Sequence, residues 1–152
     1  MMTALDDIAS LGGLEPEKDY PYTGEEGQCR FDKKKAVISD VGSTYVYKNE
    51  LRLKELVAVY GPVAVSIYAT VNFFEYHGGV FEDDICDREY EIEHSLNHAL
   101  LLVGYGTDPK LGDYWIVKNS WGESFGEKGY IRIRRGADTC GISSYGVIAT
   151  FP

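Results

Sequence analysis

Two hydrophobic periods alternate along this chain. Ala4, Leu5, Ile8 and Leu11 recur at helical spacing ahead of Gly12-Gly13, which predicts a helix over residues 1–11 with a glycine stop. Residues 15–35 hold Pro16, Pro21, Gly24 and Gly27 and read as loop, and a strand-like stretch follows at 36–47. Leu51, Leu53, Leu56, Val57 and Val59 predict an amphipathic helix over 50–60, with Asn49 as its N-cap and Gly61-Pro62 as its stop. The rest reads as β, with strands at 63–69, 98–105, 113–119, 129–135 and 145–151. No repeat or low-complexity segment interrupts the pattern.

The most informative part of that β region is a hairpin. Its first strand is apolar from Ala99 to Val103 and ends in Gly104-Tyr105-Gly106. The turn-forming stretch Thr107 to Gly112 follows, and then the strand formers Tyr114, Trp115, Ile116 and Val117. Folding about that turn places His98 almost opposite Asn119, near enough for a carboxamide oxygen to accept the imidazole N–H. An oriented imidazole can take the proton of a thiol or hydroxyl, stand beside the anion as a cation, and later protonate a leaving group. The alternative is a core histidine capped by a structural asparagine.

Composition narrows the classes. The chain has 152 residues, 44% of them hydrophobic, as in an ordinary globular protein. Its net charge of −9 argues against nucleic acid, because phosphate contacts need Lys and Arg. Lys33-Lys34-Lys35 reads as a solvated loop, and Arg132, Arg134 and Arg135 as the solvent side of a strand. The longest apolar runs are strand-sized, so no signal peptide and no membrane span are expected. No metal or other cofactor is expected either. His94 and His98 have an i, i+4 spacing, but no helical pattern surrounds them and no acid holds the motif position; His77 and His94 read as surface residues. Three cysteines leave one over, which suggests a free thiol or an intermolecular partner.

The run around His98, the run Lys118-Asn119-Ser120-Trp121-Gly122 and the later Gly126-Glu127-Lys128-Gly129-Tyr130 resemble the papain family of cysteine proteases, which includes the lysosomal cathepsins. Gly12-Gly13-Leu14, Asp19-Tyr20-Pro21-Tyr22, Cys29, Gly61-Pro62-Val63-Ala64-Val65, Gly78-Gly79-Val80-Phe81 and Cys140-Gly141-Ile142 follow the same family's order, so the resemblance covers essentially the whole chain. It implies an α+β papain-like fold: residues 1–43 as the tail of the helical half, 44–147 as the antiparallel β-barrel half, and 148–152 returning to the helical half. It also implies roles. His98 is the general base and acid, Asn119 orients it, and Trp121 covers their bond. Asn97 holds substrate through its backbone carbonyl, and Ser66, Leu96, Ala99 and Tyr145 line the main specificity pocket. Tyr145 is bulky and would favour medium apolar or polar-tipped side chains. Phe125 stands where the family more often has a second tryptophan. Cys86 pairs with Cys140, and Cys29 is left unpaired or interchain. By resemblance the protein is lysosomal or extracellular.

One departure is as informative as the match. The family's nucleophile lies in a Cys-Gly-Ser-Cys-Trp type motif near the mature N-terminus, with His and Asn well over a hundred residues later. Here 97 residues precede His98 and none of them forms that motif. Two functions follow as expectations. In the first, the chain is the C-terminal part of a papain-like endopeptidase that hydrolyses peptide or protein substrates. A second chain or an N-terminal segment then supplies the nucleophilic cysteine. In the second, it is a truncated, inactive homologue that acts by binding. Alone, the 152 residues are expected to have no peptidase activity. Residues 1–43 would leave an apolar patch that a partner, domain swapping or oligomerisation would cover.

Overall fold

The computed structural model describes residues 1–39, 42–93 and 95–150, with the side chains of Met2 and 91–93 left out. His94 and the last two residues of the expected return segment therefore lie outside the described residues. The chain divides into two compact units, one of Met1–Thr44 with Ala149–Pro152 and one of Tyr45–Ile148.

In the first unit, α1 spans Met2–Leu11. It ends where Gly12 enters the left-handed region at φ 93°, letting its N–H donate back to the carbonyls of Ile8 and Ala9. Leu14 bridges to Ile38, and between them run turns and irregular chain. Lys33–Lys35 forms one 3-10 turn rather than plain loop, because the Asp32 side chain accepts the Lys34 N–H and caps it. Among the described residues of the expected strand at 36–47, regular pairing occurs in β1, Gly42–Val46, which runs on into the second unit.

The second unit carries most of the sheet. Its elements are α2 (Glu50–Tyr60), β2 (Val63–Ile67), α3 (Val71–Phe74), β3 (Val80–Phe81) and α4 (Asp84–Glu93), then β4 (His98–Asp108), β5 (Gly112–Lys118), β6 (Tyr130–Arg134) and β7 (Gly146–Thr150). The strand order is β1-β7-β2-β4-β5-β6-β3. β2 pairs antiparallel with β4 and β7, and β5 pairs antiparallel with β4 and β6. The expectation of an antiparallel barrel needs one correction: β3 runs parallel to β6, with Val80 beside Arg132. A two-residue strand entered from the Gly78-Gly79 turn is too short to show an alternating pattern in sequence.

Inward residues at every second position of β2, β5 and β6 build the core. Val63, Val65, Ile67, Trp115, Val117, Ile131 and Ile133 are fully buried. α2 covers them with Leu53, Leu56 and Val57, while Leu51 and Val59 face solvent. Asn49 caps α2 by accepting the Arg52 N–H at 2.8 Å. Two helices depart from the all-β expectation after residue 63. α4 begins where the Asp83 carboxylate accepts the Ile85 N–H, and the disulfide Cys86–Cys140 anchors it to the segment before β7. α3 is a single turn that buries Phe73. Because α4 ends at Glu93, a helix does lie just ahead of His98, contrary to the pattern expected there.

Candidate active site

His98 opens β4 and Asn119 follows the last residue of β5. The imidazole Nε2 lies 3.0 Å from Asn119 Oδ1, and the carboxamide is buried at 7% exposure. The two residues are near each other across the hairpin but not directly opposite. Asp108 pairs with Gly112 and Gly104 with Ile116, but Leu102 pairs with Val117 and Leu101 with Lys118, so Val103 is an extra residue in β4. That bulge decides the site. Without it Leu101 would continue opposite Asn119, and the carboxamide would point to the face away from His98. With it Leu100 takes that position, and Leu100, His98 and Asn119 share a face. The contact is then a diagonal one at the strand ends, where an imidazole can reach a carboxamide two positions along.

Aromatic rings enclose the pair. Trp121 lies with its ring centre 4.8 Å from that of His98, tilted by 32°. Phe73, fully buried, presents an edge to His98 at 5.5 Å, and it also contacts Trp121 at 5.6 Å and Phe125 at 5.6 Å. Phe74 stacks on the outer face of Trp121 at 4.7 Å and 12°. Rings on these sides lower the local dielectric, which strengthens a hydrogen bond between partners already aligned. Phe125, in the place of a second tryptophan, is buried and meets Trp121 edge-on at 5.2 Å.

The loop that carries Trp121 and Phe125 is itself held. Glu127 receives the Arg132 guanidinium on both oxygens, at 2.6–3.2 Å, and also the Gly79 N–H at 3.1 Å. The Arg132 hydrogen bonds, largest among several causes, hold the Glu127 carboxyl below its ordinary range. Arg132 is therefore a ligand of the loop rather than a plain solvent-facing strand residue. The Gly129 carbonyl accepts the Asn119 N–H at 2.9 Å, which closes the loop beneath the carboxamide.

Of the expected pocket residues, Ser66 and Ala99 lie on the neighbouring strands β2 and β4, while Leu96 and Tyr145 lie just ahead of β4 and β7. Ser66 pairs with Ala99, and Ile67 with His98. Tyr145 directly precedes Gly146, which pairs with Val65. Leu96 and Tyr145 are half-buried, while Asn97 and Ala99 are exposed. Asn97 is fixed by its side chain, which both accepts the Ala69 N–H at 2.7 Å and donates to the Ala69 carbonyl at 3.0 Å. Cys86 and Cys140 are bridged, Cys29 is exposed and unbridged, and His77 is exposed. A Cys86–Asp87–Cys140 grouping is close enough to resemble a metal site, but its two sulfurs are joined to each other, so it offers one carboxylate.

Sequence reasoning missed Phe73, Phe74 and the backbone of Ser120. The aromatic doublet after Thr70, a residue that favours helix starts, was the available signal.

A family profile described as "Papain family cysteine protease" matches residues 1–150. The chain belongs to the papain family. A "Cathepsin L-like" protein of Caenorhabditis elegans is 44% identical over 147 residues, covering 95% of this chain and 42% of that protein. "Cysteine proteinase 1" of Zea mays is 43% identical, covering 95% of this chain and 39% of that protein. Among solved structures, a digestive procathepsin L2 proteinase from Tenebrio molitor larval midgut superposes with a TM-score of 0.90 at 37% identity, covering 99% of this chain and 47% of that one. The bromelain protease from Ananas comosus, in complex with the E64 inhibitor, superposes with a TM-score of 0.83 at 33% identity. The chain thus spans less than half the length of the cathepsin L-like relatives, and it corresponds to the C-terminal portion of their α+β fold.

Proposed function

We propose that this chain supplies the acid–base half of a papain-like cysteine endopeptidase. The observation that carries the reading is the 3.0 Å bond between His98 Nε2 and Asn119 Oδ1 beneath the Trp121 ring. With Nε2 engaged, Nδ1 is the atom that takes a thiol proton. The thiol comes from outside these 152 residues, on an N-terminal segment or a second chain. The thiolate attacks a peptide carbonyl, and the His98 imidazolium protonates the departing amine to leave an acyl-enzyme. The neutral imidazole then draws a proton from water, whose attack releases the acid and restores the thiol.

Substrate lies against Asn97, whose side-chain clasp on Ala69 holds its backbone in place. Its preceding side chain enters the space among Ser66, Leu96, Ala99 and Tyr145, where the Tyr145 ring limits depth and favours medium apolar residues. The bridged pair Cys86–Cys140 suits a lysosomal or secreted protein.

The test is hydrolysis of a fluorogenic peptide by the assembled protein with its cysteine-bearing segment. His98→Ala should reduce kcat/KM by about 1,000-fold or more, because base and nucleophile act as a unit. Equal hydrolysis by the two proteins would refute the reading, and no hydrolysis by either would favour a binding role.

A further inference from the structure

We infer that the backbone N–H of Ser120 is a positioning group that selects the protonated nitrogen of His98, by locking which end of the Asn119 carboxamide faces it. The inference rests on the catalytic reading of His98 for its purpose, but not for its test. A carboxamide is nearly symmetric in shape and opposite in sense at its two ends. Turned one way it offers an acceptor to Nε2, so Nε2 carries the proton and Nδ1 is left bare to receive one. Turned the other way it offers a donor, which favours a bare Nε2 and a protonated Nδ1. The second state has no base on the side where the thiol must stand.

The imidazole alone cannot settle the choice, because it adapts to either end. Ser120 can. Its N–H donates to Asn119 Oδ1 at 2.8 Å, the same oxygen that receives His98. A backbone N–H has no second sense. Rotating the carboxamide would set two donors against each other and break the Ser120 hydrogen bond. At the other end, the buried Asn119 Nδ2 has no hydrogen-bond partner among the described residues. Nothing there competes with Ser120, so the orientation is decided at Oδ1 alone. The Ser120 side chain is exposed and takes no part in this selection.

The test reads the tautomer directly in the chain itself. Long-range ¹⁵N–¹H correlation spectra of histidine-labelled protein, recorded above the imidazole titration, distinguish a protonated from a bare ring nitrogen. The unmodified chain and Ser120→Ala should both show Nε2 protonated and Nδ1 bare. Ser120→Pro removes the N–H and should move the tautomer ratio toward Nδ1 protonation by about tenfold, the scale of one lost hydrogen bond. A folded Ser120→Pro protein that keeps the original ratio would overturn the inference.

A second measurement stands even where that variant does not fold. In the unmodified chain the Asn119 amide protons should give no strong Overhauser contact to the His98 ring, and the Ser120 amide should exchange slowly. A strong contact to the ring would overturn the inference. Neither result depends on peptidase activity, so failure of the lock and failure of the catalytic reading can be told apart.

Discussion

The two units differ in whether they build a buried apolar core. Tyr45–Ile148 has one, with Trp115, Phe73, Leu53, Leu102 and Ile131 among its fully buried side chains, although others such as Leu51 and Val59 face solvent. In the unit of Met1–Thr44 with Ala149–Pro152, Leu11 is 48% exposed, Leu14 45% and Val37 68%. Leu11, Leu14, Val37 and Ile38 line an open hollow of about 530 Å³ together with Ile8 and Phe31. One unit has alternating strands that close over their own core. The other has a helix and irregular chain with too few partners to do so. The site residues of the proposed peptidase all lie in the unit that has the buried core.

The sharpest way to break this comparison is to remove core volume. Trp115→Ala should cost about 3–5 kcal/mol of unfolding free energy, whereas Leu11→Ala should cost about 1 kcal/mol or less. Urea denaturation of the chain measures both. Equal costs would mean that the first unit is as well packed as the second.

Next comes the disulfide. Cys86 and Cys140 are 54 residues apart, and opening a loop of that size should cost about 2–4 kcal/mol. The doubly substituted Cys86→Ala, Cys140→Ala protein should show that loss in its urea midpoint.

The same corner of the unit should respond to pH. Burial, ahead of all other causes, raises the carboxyls of Asp138 and Asp87 above their ordinary value. For a carboxyl raised in the folded state, the stabilising contribution is fully present below the ordinary carboxylate value and is lost as pH rises through the folded value. Asp108, Asp113 and Glu127 are shifted down, and their contribution runs the other way. Asp138→Asn should therefore flatten the part of the stability profile that falls on leaving the acid range. Asn suits the backbone there, because Asp138 sits at φ 51°. Unfolding midpoints of the two proteins on the acid and neutral sides check it, and an unchanged slope would contradict the assignment.

The smallest effect should come from the solvent side of α2. Arg52 and Glu55 pair at 2.9 Å with both side chains more than half exposed. Removing that pair should change stability by about 0.5 kcal/mol or less.

Much of this was legible in the sequence because it rests on local chemistry. Gly12-Gly13 ended α1, and Asn49 with Gly61 bounded α2. Alternation marked β2, β5 and β6, whose inner faces are buried. His98 and Asn119 were legible as a pair because the hairpin turn between them is short and polar. Their register was not, since the bulge at Val103 inserts a residue and Gly104 beside it reads equally well as the start of the strand's end. α4 was hidden for a different reason. Its helical start depends on the Asp83 side chain, and its position depends on a disulfide to a cysteine far along the chain. Phe73 and Phe74 were missed because their partners, His98, Trp121 and Phe125, come from two later segments.

The most direct test of the account reads proton transfer to His98. In the protein assembled with the proposed cysteine-bearing segment, the nucleophilic thiol would be alkylated by iodoacetamide under mildly acidic conditions. A free thiol titrates near about 8.5 and is nearly all protonated there, while one paired with an imidazolium stays ionised. The account predicts rapid alkylation that slows by about 10–100-fold in His98→Ala, allowing for the lower intrinsic reactivity of an acidic thiol. An equal alkylation rate in the two proteins would show that His98 does not draw the proton, and would contradict the account.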